Sequence, residues 1–264
     1  MDLHKRLKHF INAFTVVTLS IWWPNIGVAA VSCLAAINPT IQRQIEKNNF
    51  VINRSLDDYA QNLMQMPTAF YMLLAAIPQG AIVVDFGAGQ AKALKQLVEY
   101  YPQVALGVAI SHTKPENFES PAHLGERFDY IDGGYVEDLM AAGKLDHLKG
   151  RVKFATDFFG AFSYTHDLPR VIQTYVDLLE VHGRIFVHFS EKKNIVKKGN
   201  QELSLIDWLS KIPGIIVRRQ SDKYAGHGSF YIQKVNEQVM VPQNLKIKKI
   251  EAASGVPVRF YDMN

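Results

Sequence analysis

Ala81-Ile82-Val83-Val84-Asp85-Phe86-Gly87-Ala88-Gly89-Gln90-Ala91 is the stretch whose reading decides the fold. Residues 81–84 are a short, continuous apolar run, as suits a strand buried on both faces. An acid closes the run, and two glycines follow at alternate positions. Glycine accepts the positive φ of a tight turn and lets a ligand lie against bare backbone. Ala91, Leu94, Leu97, Val98 and Tyr101 then recur at helical spacing. Dinucleotide folds use a similar strand, turn and helix to bring pyrophosphate to a helix N-terminus. Here Asp85 precedes the first glycine and Ala91 replaces a third. A carboxylate there disfavours a pyrophosphate and suits a neutral or cationic ligand better.

Downstream, apolar runs recur at Val104 to Ile110, Phe128 to Ile131, Val152 to Ala155 and Arg184 to Phe189. Leu168, Val171, Ile172, Tyr175, Leu178 and Leu179 mark an amphipathic helix with Asp167 as its N-cap, ended by Gly183. Leu203, Ile206, Leu209 and Ile212 suggest a further helix. Ile215 to Arg218 and Ser229 to Val235 read as a closing antiparallel pair. Upstream, residues 38–66 look helical. Ser55 with Asp58 three residues on resembles a capping box, and Pro67 suits the first turn of a helix through Ile77. Strands alternating with helices imply a parallel sheet covered on both faces. In such sheets ligands bind beyond the carboxyl ends of the strands, where strand order reverses.

At these residues the chain resembles the class I S-adenosylmethionine-dependent methyltransferases, over about residues 80–235. The apolar strand followed by Asp85-Phe86-Gly87-Ala88-Gly89 is similar to the family's first motif. Thr156 to Tyr164 looks like its fourth-strand motif, and Leu178 to Ile185 like its entry to strand five. The resemblance implies an α/β fold: a doubly wound, mostly parallel seven-stranded sheet with a C-terminal antiparallel hairpin, preceded by N-terminal helices. It implies S-adenosylmethionine as cofactor and a small molecule or protein side chain as methyl acceptor. Asp85, Phe86, Gly87, Ala88 and Gly89 would line the methionine and ribose end. Asp132 would lie beside the adenine. Asp157 and Phe158 would face the sulfonium, with Asp157 orienting or deprotonating the acceptor and Tyr164 and His166 as further catalytic candidates. One departure stands out. Where the family often carries an acid at the end of strand two, this chain has Ala109.

Each of these residues has a plainer reading. Gly87 and Gly89 serve a turn without a ligand, Asp85 caps the next helix, Asp157 is a solvated strand-end acid, and Phe158, Phe159 and Phe162 are core. His112, His166, His188 and His227 show no metal-like spacing among themselves. Gly-x-Ser-x-Gly and His-Glu-x-x-His are both missing, which leaves hydrolase and zinc-protease readings without support.

The chain has 264 residues, 48% of them apolar, which fits a folded protein able to bury a full core. One cysteine excludes a disulfide scaffold and a Cys-based zinc site. The net charge is +4, and Lys5, Arg6 and Lys8 against Asp2 place half of it in the first thirty residues. With no long basic run, no nucleic-acid partner is expected. Oligomeric state is not legible.

Residues 1–30 have a basic start, a charge-free stretch from Phe10 to Trp23, a Pro24-Asn25 break and the small residues of Gly27-Val28-Ala29-Ala30. A secretory signal peptide has this form. A membrane anchor through residues 10–30 and a buried helix are the other readings. Ala30-Val31-Ser32-Cys33 loosely resembles a bacterial lipobox, the plainer alternative being a buried thiol. The expected organisation is a signal peptide or anchor at 1–30, a helical extension at 31–78, a Rossmann-like methyltransferase domain at 79–235 and a tail at 236–264. The tail's Lys246, Lys248 and Lys249 read as a solvated face. Export or anchoring conflicts with a cofactor made in the cytosol. A non-catalytic, exported binding domain on the same scaffold is therefore the alternative function, and a cytoplasmic location the alternative address.

Overall fold

The computed structural model describes residues 53–63, 67–224, 227–251 and 257–264. The leader, Cys33 and most of the helix expected over 38–66 lie outside the described residues. Among the described residues no helix is long and apolar enough to cross a membrane.

Helix α1, Leu56–Leu63, opens on the expected capping box. The Ser55 hydroxyl and amide both donate to Asp58 Oδ2, at 2.8 and 2.7 Å, and the Asp58 amide donates back to Ser55 Oγ at 3.2 Å. Helix α2, Pro67–Ala75, begins at Pro67, whose missing N–H costs nothing in a first turn. Strand β1, Ala81–Phe86, is buried along its whole length. Next come α3 (Lys92–Tyr100), β2 (Val104–Ile110), β3 (Phe128–Ile131), α4 (Val136–Ala141), β4 (Val152–Phe158), α5 (Ala161–Tyr164) and α6 (Leu168–Leu178). The remainder is β5 (Leu179–Ser190), β6 (Asn194–Lys198), β7 (Gln201–Leu203), α7 (Leu205–Leu209), β8 (Ile215–Tyr224), β9 (His227–Lys234), β10 (Leu245–Glu251) and β11 (Val258–Met263).

The main sheet has the order β3-β2-β1-β4-β5-β9-β8. Strands β1 to β5 pair in parallel, whereas β9 pairs antiparallel with both β5 and β8. This is the seven-stranded, mostly parallel sheet with a reversed closing hairpin that the sequence implies. Strand order changes direction at β1, which lies between β2 and β4.

Two apolar layers cover the sheet. Ile82, Val84 and Phe86 join the layer built with α4, α6 and α7, while Ala81 and Val83 join the one built with α1, α2 and α3. Strand side chains alternate between faces, so Asp85 shares the face of Ala81 and Val83, toward α1.

Two features differ from the sequence reading. Helix α6 ends at Leu178, and Gly183 lies inside β5. A Cβ there would come within 2.6 Å of the Val152 carbonyl oxygen, so the glycine serves close strand approach, not helix termination. The segment expected as a tail also carries β10 and β11. These join β6 and β7 in a second sheet of order β10-β11-β6-β7. Lys248 and Lys249 of β10 make ion pairs with Asp262 and Glu251.

Candidate functional site

The carboxyl ends of β1 and β4 meet through two glycines. Gly87 has φ +73°, which L side chains rarely adopt. A Cβ on Gly87 would lie 2.2 Å from Gly160 Cα, and one on Gly160 would lie 2.1 Å from the Phe86 oxygen. The two turns therefore touch backbone to backbone. The Gly87 amide donates to the Ile110 carbonyl at 2.7 Å, which ties the same turn to the end of β2. Gly89 and Ala91 continue the turn at φ +55° each. Ala91 precedes α3 and no side chain caps that helix, so Asp85 is not its cap.

Asp85 is buried beneath this turn. Tyr59 Oη of α1 donates to its two oxygens at 2.9 and 3.1 Å, and Thr156 Oγ1 of β4 donates to Oδ1 at 2.7 Å. Burial lifts its pKa to about 7, and the Thr156 and Tyr59 hydrogen bonds hold the rise back. The same burial raises the Tyr59 phenol well above its ordinary value.

Asp157 is wholly buried. Its carboxylate accepts from the Gly160 amide at 2.7 Å, the Phe162 amide at 2.8 Å and the Tyr175 hydroxyl. Burial raises its pKa to about 6 against the pull of these donors. The Gly160 and Phe162 amides fasten this carboxylate to the turn into α5 and the Tyr175 hydroxyl ties it to α6, so it braces that turn. Phe158, next in the chain, is buried, and its ring stacks on Tyr59 with centroids 5.1 Å apart. The Arg54 guanidinium lies 4.3 Å above the Phe158 ring, and its Nη1 donates to the Phe158 carbonyl at 3.1 Å. Burial lowers the Arg54 pKa. Phe159 has φ +52°, a strained value for a bulky residue.

The ends of β2, β3 and the β4 loop carry a second polar line. His166 Nε2 lies 2.8 Å from the Tyr135 hydroxyl, and the Tyr135 ring contacts those of His112 and His166 at 4.7 and 4.8 Å. Burial, with Arg259 and His112 nearby, lowers the His166 pKa to about 4, so its ring is neutral near pH 7. Tyr164 is half-buried, and burial raises its phenol pKa. Asp132 Oδ2 accepts from the Lys114 amide at 3.1 Å. Tyr130 reaches the glycine turn, donating to the Gly89 carbonyl at 2.7 Å. Ala109 is fully buried and pairs with Asp85 across β1 and β2. Among the described residues no group of three or more His, Cys, Asp or Glu is placed to hold a metal.

The structure thus brings Asp85, Phe86, Gly87, Ala88, Asp157 and Phe158 to one edge, with Tyr164 at the end of α5 and His166 just beyond it. Sequence reasoning missed Arg54, Tyr59, Tyr135 and Arg259. Tyr59 had a usable signal in the capping box that positions its helix. The other three had none beyond their residue type.

No protein-family model matches the chain, and no curated protein matches it. Solved structures do. The antibiotic-resistance methyltransferase Kmr is 13% identical, with 63% of this chain and 93% of that chain covered at a TM-score of 0.44. The 1,6-didemethyltoxoflavin-N1-methyltransferase of Burkholderia thailandensis, solved with S-adenosylhomocysteine, is 17% identical, with 75% and 84% covered at 0.42. The phosphoethanolamine N-methyltransferase 2 of Haemonchus contortus, solved with S-adenosyl-L-methionine, is 8% identical at 0.45, with 65% of this chain covered. This chain spans about half the length of that last protein (52%). At these identities and scores the likeness is one of outline and says nothing of this chain's substrate.

Proposed function

We propose that this chain is an S-adenosylmethionine-dependent methyltransferase whose cofactor lies across the Phe86–Gly89 turn and the loop after β4. The observation that carries this reading is the contact between those two turns at the carboxyl edge, beside the strand where sheet order reverses. Ligands of open α/β sheets bind at such a place.

The residues present fit the cofactor at one end. The Cβ side of Gly87 is taken up by Gly160, but the half-buried Gly87 and Gly89 present backbone without side chains at the turn, and the half-buried Arg54 offers a cation to a carboxylate. At the ribose end Ala109 supplies no carboxylate. A missing partner for a buried hydroxyl weakens binding by about 1–3 kcal/mol.

When bound, the cofactor supplies an electrophilic methyl on a positively charged sulfur. The chain's own contribution is alignment, which lowers a barrier by fixing the reacting atoms in line. Asp157 serves that alignment by holding the Gly160 and Phe162 amides, and with them the loop. Its oxygens already accept from three donors, so it is a positioning residue. His166 is neutral near pH 7, but a ring whose pKa burial lowers to about 4 is a weak base, so its part is to orient the acceptor and not to take its proton. Tyr164, at the end of α5, also orients the acceptor.

A second reading, a binding domain without catalysis, is favoured by Ala109 together with the engagement of Asp85 by Tyr59 and Thr156. Titration calorimetry with S-adenosylhomocysteine separates the two. A micromolar dissociation constant supports the enzyme, and no heat at millimolar ligand supports the scaffold. Export or membrane anchoring by residues 1–30 belongs to the same proposal. Intact mass from the native source tests it by reporting cleavage and acylation of Cys33.

A further inference from the structure

Arg259 of β11 is fully buried, and among the described residues no carboxylate lies at ion-pair distance from it, the buried Asp157 feeling its charge from farther off. Its Nη1 donates to the Thr165 carbonyl at 3.1 Å and its Nη2 to Asn194 Oδ1 at 2.6 Å, while Nε has no partner. Unpaired charges are rarely buried, because desolvation is costly. The surroundings repeat the pattern. Tyr261, two residues along β11 and so on the same face, has a buried hydroxyl without a partner. So does Ser163, two residues before Thr165. Glu137 also converges on Thr165, whose Oγ1 donates to Glu137 Oε1 at 2.6 Å, and Glu137 Oε2 has no partner. Native interiors leave few polar atoms unsatisfied, and here five side chains tied to one short segment, His166 with its Nδ1 among them, each leave one. The segment is the end of α5 and the residues just after it, which carry Tyr164 and His166, at the carboxyl edge of the main sheet.

We propose that Arg259, Tyr261 and Ser163, with Glu137 opposite, form a second subsite that holds the anionic oxygen group, carboxylate or phosphate, of the methyl acceptor. An Arg Nε–H only donates, and the Tyr and Ser hydroxyls rotate, so all three can donate to a ligand. Charge-assisted bonds of a guanidinium to carboxylate or phosphate are the strong kind. The second sheet is what brings this cation to the main sheet's edge, since β11 pairs with β6 through Arg259 and Asn194. The anion's membership in a methyl acceptor rests on the methyltransferase reading, whereas the subsite itself does not.

The test uses the full chain. Arg259→Met would strip the Thr165 carbonyl and Asn194 of their donor and threaten the fold. The Ser163→Ala/Tyr261→Phe double variant removes only hydroxyls that no protein group uses. Thermal unfolding is followed against inorganic phosphate and against acetate, each matched in ionic strength with chloride. The expected result is a midpoint raised by one of the two anions beyond chloride, with at least tenfold weaker affinity in the double variant. The anion that acts identifies the group. The proposal is overturned if neither anion acts beyond chloride, or if the double variant binds as wild type does. Anion binding without S-adenosylhomocysteine binding would retain the subsite and remove the methyl acceptor as its ligand.

Discussion

Asp85, Glu137 and Asp157 are carboxyl groups that the fold keeps from water, and burial is the largest cause of each shift. Their pKa values rise to about 7, 7 and 6 from ordinary values of 3.8, 4.5 and 3.8. A raised acid binds its proton more tightly folded than unfolded, so its contribution to stability falls as pH climbs from the unfolded value through the folded one. His166, lowered from 6.5 to about 4, acts oppositely, since the unfolded chain then holds the extra proton. Between about pH 4.5 and 6 three groups favour the acid side and one opposes them. Stability should therefore decline with rising pH across that window, measured as the urea midpoint. Asp85→Asn should flatten the decline, and an unchanged pH slope would contradict the placement of Asp85. Gly87→Ala puts a methyl against Gly160 backbone at a positive φ. Its cost is expected at about 2–4 kcal/mol, with loss of ligand binding, checked by chemical denaturation and calorimetry. Of these residues the sequence displayed the type and the order. It did not display that the Asp85 and Asp157 carboxylates turn inward, because their donors Tyr59 and Tyr175 come from helices elsewhere in the chain.

At the scale of elements, β1, β2, β4 and β5 were legible because each contains a run of apolar residues that the sheet buries, whereas β3, reading FDYI and only partly buried, was legible mainly from its place in the alternation. Asp167 as a cap was legible too, and its side chain does accept from the Arg170 amide. The second sheet was not. Its strands are short or lysine-rich, β6 reading NIVKK and β10 reading LKIKKIE. Their pairing joins segments about 65 residues apart, as with Asn194 and Arg259. Local propensity does not encode a partner that distant. Removing residues 245–264 would delete β10 and β11 and take the Arg259 guanidinium from Thr165. Amide exchange should then quicken in residues 158–166 while β1, β2 and β4 stay protected. Uniform quickening through the main sheet would show instead that the second sheet supports the whole fold.

Over the whole molecule, a parallel sheet closed by a reversed hairpin places two glycine turns, a cation from each end of the described chain and a neutral histidine along one edge. Fold class was open to the sequence because it follows from periodicity, whereas the furnishing of the edge follows from tertiary contacts. The central claim is that this edge seats S-adenosylmethionine at the Phe86–Gly89 turn. A crystal structure grown with S-adenosylhomocysteine tests it most directly. The account predicts the ligand lying against Gly87 and Gly89, with its amino-acid end toward Arg54. A ligand seated elsewhere, or crystals without it at saturating concentration, would contradict the account.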